Sequence, residues 1–218
     1  MRLLLIIVLL AVTTGSFAQT LVIKAGINLS FMKVENNYSS ALHPRNTSYD
    51  MKTGFNAGLT SEFPVNKKIS ITFGILLSTK GYYFTDTDWF GQRIGFINKS
   101  TGTFNFIYLD VPLEGKVYLT KGTAKTYAAF GPCLGVGLGG KTEIVQNYGG
   151  SISSYSAKID YEGMNRFDFG LIAEAGIDIN YFQFSLSYNY GLVNISTDNN
   201  FTLKNRVLGI SLGLKFGK

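Results

Sequence analysis

Cysteine and histidine are almost missing from this 218-residue chain: Cys133 and His43 each stand alone. A single cysteine excludes an intramolecular disulfide. One His and one distant Cys cannot supply a transition-metal site of ordinary ligand spacing. Charge is scarce as well, at 16% of residues against roughly 25% in a soluble domain. The positive excess, +6 overall, is spread along the chain, so no concentrated surface for nucleic acid is expected. Beyond residue 18 there is no run of 18 or more apolar residues, which argues against a helical membrane span.

The first residues have a different character. Arg2 supplies a positive start, Leu3 to Val12 are all apolar, and Thr13-Thr14-Gly15-Ser16-Phe17-Ala18 places small residues before a cut after Ala18. That is the layout of a secretory signal peptide, and ten apolar residues are too few to span a bilayer as a helix. The expected division is a cleaved signal over 1–18 and one barrel domain over 19–218. No Cys follows the cut, so no lipoprotein anchor is expected.

What the remainder has in abundance is alternation. In Phe182-Gln183-Phe184-Ser185-Leu186-Ser187-Tyr188-Asn189-Tyr190-Gly191-Leu192 every even position is large and apolar and every odd one is small or polar. Successive side chains of a strand point to opposite faces, so this segment reads as a strand with one apolar side. The same pattern predicts strands over Leu21–Phe31, Gly54–Val65, Ile69–Tyr83, Phe104–Leu119, Tyr127–Gly139, Phe167–Ile179 and Arg206–Phe216, eight in all. The connections alternate strictly. Short turns fall at Asn66-Lys67-Lys68, Thr120–Thr126 and Asn180-Tyr181. Long polar segments fall at Met32–Thr53, Phe84–Thr103, Gly140–Arg166 and Val193–Asn205. Short periplasmic turns and long external loops are the plan of an outer-membrane barrel. The expected fold is all-β, an eight-stranded antiparallel up-and-down transmembrane barrel.

Side-chain parity sets which face meets lipid. Ile69, Ile71, Phe73, Ile75 and Leu77 share one face, as do Leu208, Ile210, Leu212, Leu214 and Phe216. The opposite face holds Gly, Ser, Thr and Asn, and with them Lys24, Glu62, Lys80, Asp110, Glu114, Lys116, Asp168, Glu174, Asp178 and Lys215. A lipocalin-like carrier would show charges outside and hydrocarbon inside; the near absence of charge from the apolar face favours the membrane polarity. Eight strands enclose only enough room for side chains. The ten charged groups are therefore expected to pair in a plugged interior, because buried charges persist only when paired. The aromatics Tyr82-Tyr83-Phe84, Trp89-Phe90 and Tyr181-Phe182 are expected to form girdles at the two interfaces. Pro112 and Pro132 fall inside predicted strands, and each is expected to mark a bulge.

Tyr108-Leu109-Asp110-Val111-Pro112-Leu113-Glu114-Gly115-Lys116-Val117-Tyr118 resembles the central strand of the outer membrane protein β-barrel domain family. Tyr127-Ala128-Ala129-Phe130-Gly131-Pro132-Cys133-Leu134-Gly135 resembles its next strand. Phe169–Gly176 and Tyr188–Ile195 resemble the last hairpins, and the likeness runs from about Leu21 to Phe216. The resemblance implies a barrel of the kind labelled porin family, mostly from Bacteroidetes, with no shared catalytic set and no cofactor. It implies outer-membrane lipid and the barrel insertion machinery as partners. One departure is that Phe216 is followed by Gly217-Lys218 rather than ending the chain.

Catalysis would have to use His43, beside Pro44 in the first long segment. No spacing of Ser39, Ser40 or Asp50 marks a nucleophile, and no Gly-x-Ser-x-Gly elbow occurs. Gly135-Val136-Gly137-Leu138-Gly139-Gly140 lies in a strand with no helix after it, so it is not a phosphate cradle. Asp86 and Asp88 lack the pattern of a calcium loop. The expected role is structural or interactive, through long loops rich in Asn, Ser, Thr and Tyr that meet surface ligands or envelope proteins. A small-solute channel is the alternative, ahead of an enzyme or a soluble carrier.

Overall fold

A computed structural model describes residues 20–36, 45–88, 98–148, 150–161 and 164–217. The expected signal segment, His43 and Trp89-Phe90 lie outside the described residues. Eleven strands and no helix are present among the described residues. They are β1 (Thr20–Ser30), β2 (Lys33–Asn36), β3 (Arg45–Pro64), β4 (Ile69–Asp88), β5 (Asn98–Tyr118), β6 (Ala124–Tyr148), β7 (Ser151–Ile159), β8 (Phe167–Ile179), β9 (Phe182–Gly191), β10 (Phe201–Lys204) and β11 (Arg206–Phe216). Eight of them, β1, β3, β4, β5, β6, β8, β9 and β11, pair antiparallel with their neighbours in chain order, and β1 pairs with β11 to close the ring. β7 folds back on the upper part of β6, and β2 with β10 forms a separate two-stranded sheet.

The apolar face looks outward. Ile23, Ile27, Leu59, Ile71, Phe184, Ile210 and Leu212 are exposed, whereas Lys24, Glu62, Lys80, Asp110 and Asp168 are buried. This is the inverse of a soluble protein and the polarity that a hydrocarbon solvent selects. The turns at the opposite end are tight for identifiable reasons. Asn66 Oδ1 accepts the backbone N–H groups of Lys68 and Ile69, and Asn180 takes a positive φ of 53° that a short polar side chain tolerates. Tyr83, Tyr181 and Phe182 project outward near the strand ends, as a girdle requires. Tyr82 and Phe84 do not: Tyr82 points inward and is buried, and Phe84 packs on the same inner side against Phe104.

Three of the expected long loops, Met32–Thr53, Phe84–Thr103 and Gly140–Arg166, are mostly strand over their described residues, whereas Val193–Asn205 holds only the short β10. β1, β9 and β11 have 11, 10 and 11 residues, close to what one crossing needs, but β3 has 20, β4 20, β5 21 and β6 25. About ten residues of each long strand therefore rise beyond the bilayer, a wall roughly 30 Å high along the strands, extended sideways by β7. The reason for the difference is solvation. Once a sheet leaves the membrane, water meets both faces, and a strand such as Ser151–Ile159 is exposed on nearly all its positions.

The proline expectation is corrected. Pairing between β4 and β5 runs Phe73↔Leu113, then Leu76↔Asp110, skipping Pro112. Between β5 and β6 it runs Pro112↔Cys133, then Gly115↔Phe130, skipping Pro132. Register is the same on both sides of each gap. A missing N–H removes a ladder bond without needing an inserted residue, and an insertion would turn every later side chain to the wrong face. The register shifts lie elsewhere, between Met51 and Asn56 on β3 and beside Ile107 and Tyr108 on β5, where the strands leave the membrane.

Candidate functional site

The lumen and its outer mouth are the two places where chemistry converges. At the periplasmic end of the lumen, β5 brings Lys116 Nζ to 2.9 Å from Glu62 Oε2 on β3 and 3.3 Å from Asp178 Oδ2 on β8. Lys215 on β11 also pairs with Asp178. The Tyr118 hydroxyl donates to Glu62 at 2.7 Å, and Gln183 Nε2 donates to Asp178 at 3.0 Å. The Lys116 ammonium lies 3.9 Å from the centre of the Tyr127 ring, close enough for the ring quadrupole to offset part of its lost hydration.

One layer higher, Lys24 on β1 pairs with Glu174 on β8, which also accepts the Tyr127 hydroxyl at 2.8 Å. Lys24 is flanked in register by Gly58 on β3 and Gly213 on β11, so its long side chain has room to cross the lumen. Above it, Lys80 Nζ lies 2.8 Å from Asp110 and 3.7 Å from Asp168. Gly135 pairs with Asp110 on one side and Asp168 on the other. A Cβ there would stand 3.0 Å from the Asp110 carboxylate, so the glycine lets both acids reach one lysine. Beside this cluster Asn56 donates to Asn28 at 2.7 Å and accepts from Ser211 at 3.0 Å. Of the ten charged residues singled out from the sequence, nine thus meet in ion pairs. Glu114 is buried in the same lumen without an ion pair among the described residues.

Sequence reasoning did not find the neutral partners Tyr118, Tyr127, Gln183 and Asn205, the last of which donates to Asp168 at 2.8 Å. All lie inward by parity or in a polar segment, so their burial was legible but their role was not. It also missed the outer mouth. There Phe104, Phe106 and Tyr108 follow one another as a line of rings along β5, and Phe104 packs on Tyr82 and Phe84 of β4, with the Tyr82 and Phe104 ring centres 5.0 Å apart. Tyr161, from the segment after β7, closes over Tyr108 and Phe106. Its ring occupies the space that any side chain at Gly137 would need. Met32, Ile195 and Leu203 complete a plug of buried apolar side chains.

The free volumes follow this division. Among the described residues, cavities in the lumen have volumes of about 50 and 20 Å³, room for a water or two. At the periplasmic opening, beside Lys215 and Tyr118, the space is about 350 Å³. At the outer mouth, between the wall and the loops, it is about 320 Å³. Among the described residues no group of three His, Cys, Asp or Glu side chains is placed to hold a metal ion.

Comparison with known proteins agrees with this architecture. The family model described as an outer membrane protein β-barrel domain matches residues 17–197. No curated protein matches the chain. Among solved structures it is similar to the outer membrane protein OprG from Pseudomonas aeruginosa, at 12% identity and a TM-score of 0.47 over 93% of this chain and 97% of that one. It is similar also to Ail, the attachment invasion locus protein of Yersinia pestis, at 14% identity and 0.36 over 92% and 99%. Neisserial surface protein A gives 14% and 0.36 over 90% and 97%. With its hydrocarbon-facing exterior, closed ring of eight strands and a match over most of its length, the chain belongs to the outer membrane protein β-barrel domain family, and it resides in the outer membrane.

Proposed function

We propose that the protein is a non-conducting barrel that acts as a surface-interaction protein, holding its outer wall and loops out from the membrane for partners to bind. The observation that carries this reading is the burial of the lumen lysines. The side chains of Lys80 and Lys116 are 1% and 2% exposed, and both are held in ion pairs. A water-filled passage would leave such ammonium groups hydrated, and their desolvation is tolerated only because carboxylates and ring faces replace the water. The nine paired charges, with Glu114 buried beside them, are on this reading a structural plug. Removal of a signal over 1–18 and insertion through the last strand, ending at Phe216, complete the expected biogenesis.

The role is binding rather than catalysis, in keeping with a chain that has one histidine, His43, and no nucleophile elbow. Long strands that project past the bilayer suit this role, since rigid scaffolds with exposed polar surfaces are where adaptable contacts are made. Envelope proteins and surface ligands are the partners it implies. Single-channel recording on the purified protein in planar bilayers tests the reading. No steady conductance is expected, and a stable open level would favour a small-solute channel instead.

A further inference from the structure

The cavity at the periplasmic opening has a volume of about 350 Å³, within the range of small-molecule sites, ~300–1,000 Å³. Three lysines line it: Lys67 from the turn between β3 and β4, Lys125 from the start of β6 and Lys215 from β11. The turns around it carry charge of one sign. Across 65–69, 119–126 and 180–181 the charged side chains are Lys67, Lys68, Lys121 and Lys125, with no Asp or Glu. A concave opening of one sign focuses field lines and concentrates ions of the opposite sign.

The carboxylates that border this space already have partners. Glu62 lies 2.9 Å from Lys116 and accepts the Tyr118 hydroxyl at 2.7 Å. Asp178 pairs with Lys116 and Lys215 and accepts from Gln183 at 3.0 Å, so Lys215 is committed as well. Lys67 and Lys125 have no ion pair among the described residues. Lys125 sits beside Asp178 in strand register, and its ammonium lies 5.6 Å from the centre of the Tyr118 ring. Asn66 Oδ1 is held by the N–H groups of Lys68 and Ile69, which leaves its Nδ2 group, on the cavity wall, to donate to a guest.

We infer that the periplasmic mouth binds a small phosphate monoester, with its phosphate between the Lys67 and Lys125 ammonium groups and its organic body beside Tyr118. The number of charges selects the ligand. Two ammonium groups without counter-ions match a dianion, and a phosphate monoester carries close to two negative charges near neutral pH. Its three terminal oxygens are strong acceptors, so Asn66 adds a third contact. A carboxylate brings one charge and two oxygens, which leaves one lysine unmatched. A cation would meet free lysines and carboxylates that are already paired. The site lies below the plug, and it depends neither on the surface-binding role nor on whether the lumen conducts.

The test uses the full barrel in phosphatidylcholine nanodiscs, with empty discs as the reference, and titration calorimetry with glycerol 3-phosphate, glycerate and glycerol. Glycerol 3-phosphate is expected to bind saturably, about tenfold more tightly than glycerate, and glycerol is expected not to bind. Lys67→Gln and Lys125→Gln are each expected to weaken glycerol 3-phosphate about tenfold, close to the affinity of glycerate. Lys68→Gln and Lys121→Gln, on the same rim but outside the cavity wall, are expected to leave it unchanged. Heat-modifiable gel migration shows that each variant is folded. Repeating the titration in discs that contain phosphatidate identifies the source of the ligand. Loss of the glycerol 3-phosphate signal there assigns the site to a lipid-borne monoester, and an unchanged signal assigns it to a soluble one. No saturable binding in phosphatidylcholine, equal affinity for glycerate, indifference to both Lys67→Gln and Lys125→Gln, or an equal loss with Lys68→Gln and Lys121→Gln would each overturn the inference.

Discussion

Lys80 and Phe84 lie four residues apart on one face of β4, and their surroundings have little in common. Around Lys80 the ammonium is held by Asp110 and Asp168, the ring of Tyr108 lies 4.5 Å from it, and only about 50 Å³ is left open nearby. Around Phe84 the neighbours are rings and the open space is about 320 Å³. The difference tracks the bilayer. Where lipid surrounds the strands, inward groups have no bulk water and depend on one another for partners. Above it, water supplies what the protein does not, and imperfect filling costs little. Sealing and binding are thereby separated along the same strands.

The largest test of this contrast removes one charge from the sealed part. Lys116→Met leaves Glu62 and Asp178 facing each other without their shared cation, and it is expected to lower unfolding stability by about 3–5 kcal/mol. Urea titration of the barrel in lipid vesicles measures it, and a loss below that of any mouth variant would break the comparison. A second experiment sharpens it. Lys24→Met alone is expected to be costly, whereas Lys24→Met with Glu174→Met is expected to recover more than half of the loss, because a buried pair replaced whole is often nearly neutral. Non-recovery in the same titration would show that Tyr127, left without its acceptor, matters as much as the pair.

In the mouth, Phe104→Leu removes ring contacts with Tyr82, Phe84 and Phe106 and is expected to cost about 1–2 kcal/mol by the same measurement. The smallest effect is expected outside both regions. Lys33 and Glu35 form a pair at 2.8 Å with both side chains half exposed, and the hydrogen bond from Lys33 holds the Glu35 carboxyl below its usual range. Lys33→Ala is expected to leave the unfolding midpoint unchanged, since exposed pairs contribute little.

The membrane part of the fold was legible because lipid outside and a narrow lumen inside impose alternation, as in Phe182–Leu192. The inward charges were legible for the same reason, since they share parity with the glycines. Their pairing was not: Lys24 and Glu174 are 150 residues apart and meet only because the ring closes. The wall was invisible to the same reading. Ser151–Ile159 is exposed on nearly all its positions, so nothing selects alternate residues there, and a polar strand of that kind looks like a loop. Tyr82 was assigned to a girdle because aromatics near strand ends suit the headgroup level; its inward parity, shared with Lys80 and Ser78, was the stronger signal.

The hairpin of β6 and β7 has an orientational consequence. Among the described residues β7 pairs only with β6, so its far side offers main-chain donors and acceptors to a newcomer. Two identical barrels in one membrane stand upright in the same sense, and rotation about the bilayer normal keeps their β7 segments pointing the same way. Antiparallel zippering between siblings is thus forbidden by their shared anchoring. A chain arriving from outside the cell carries no such restriction and can run in either direction.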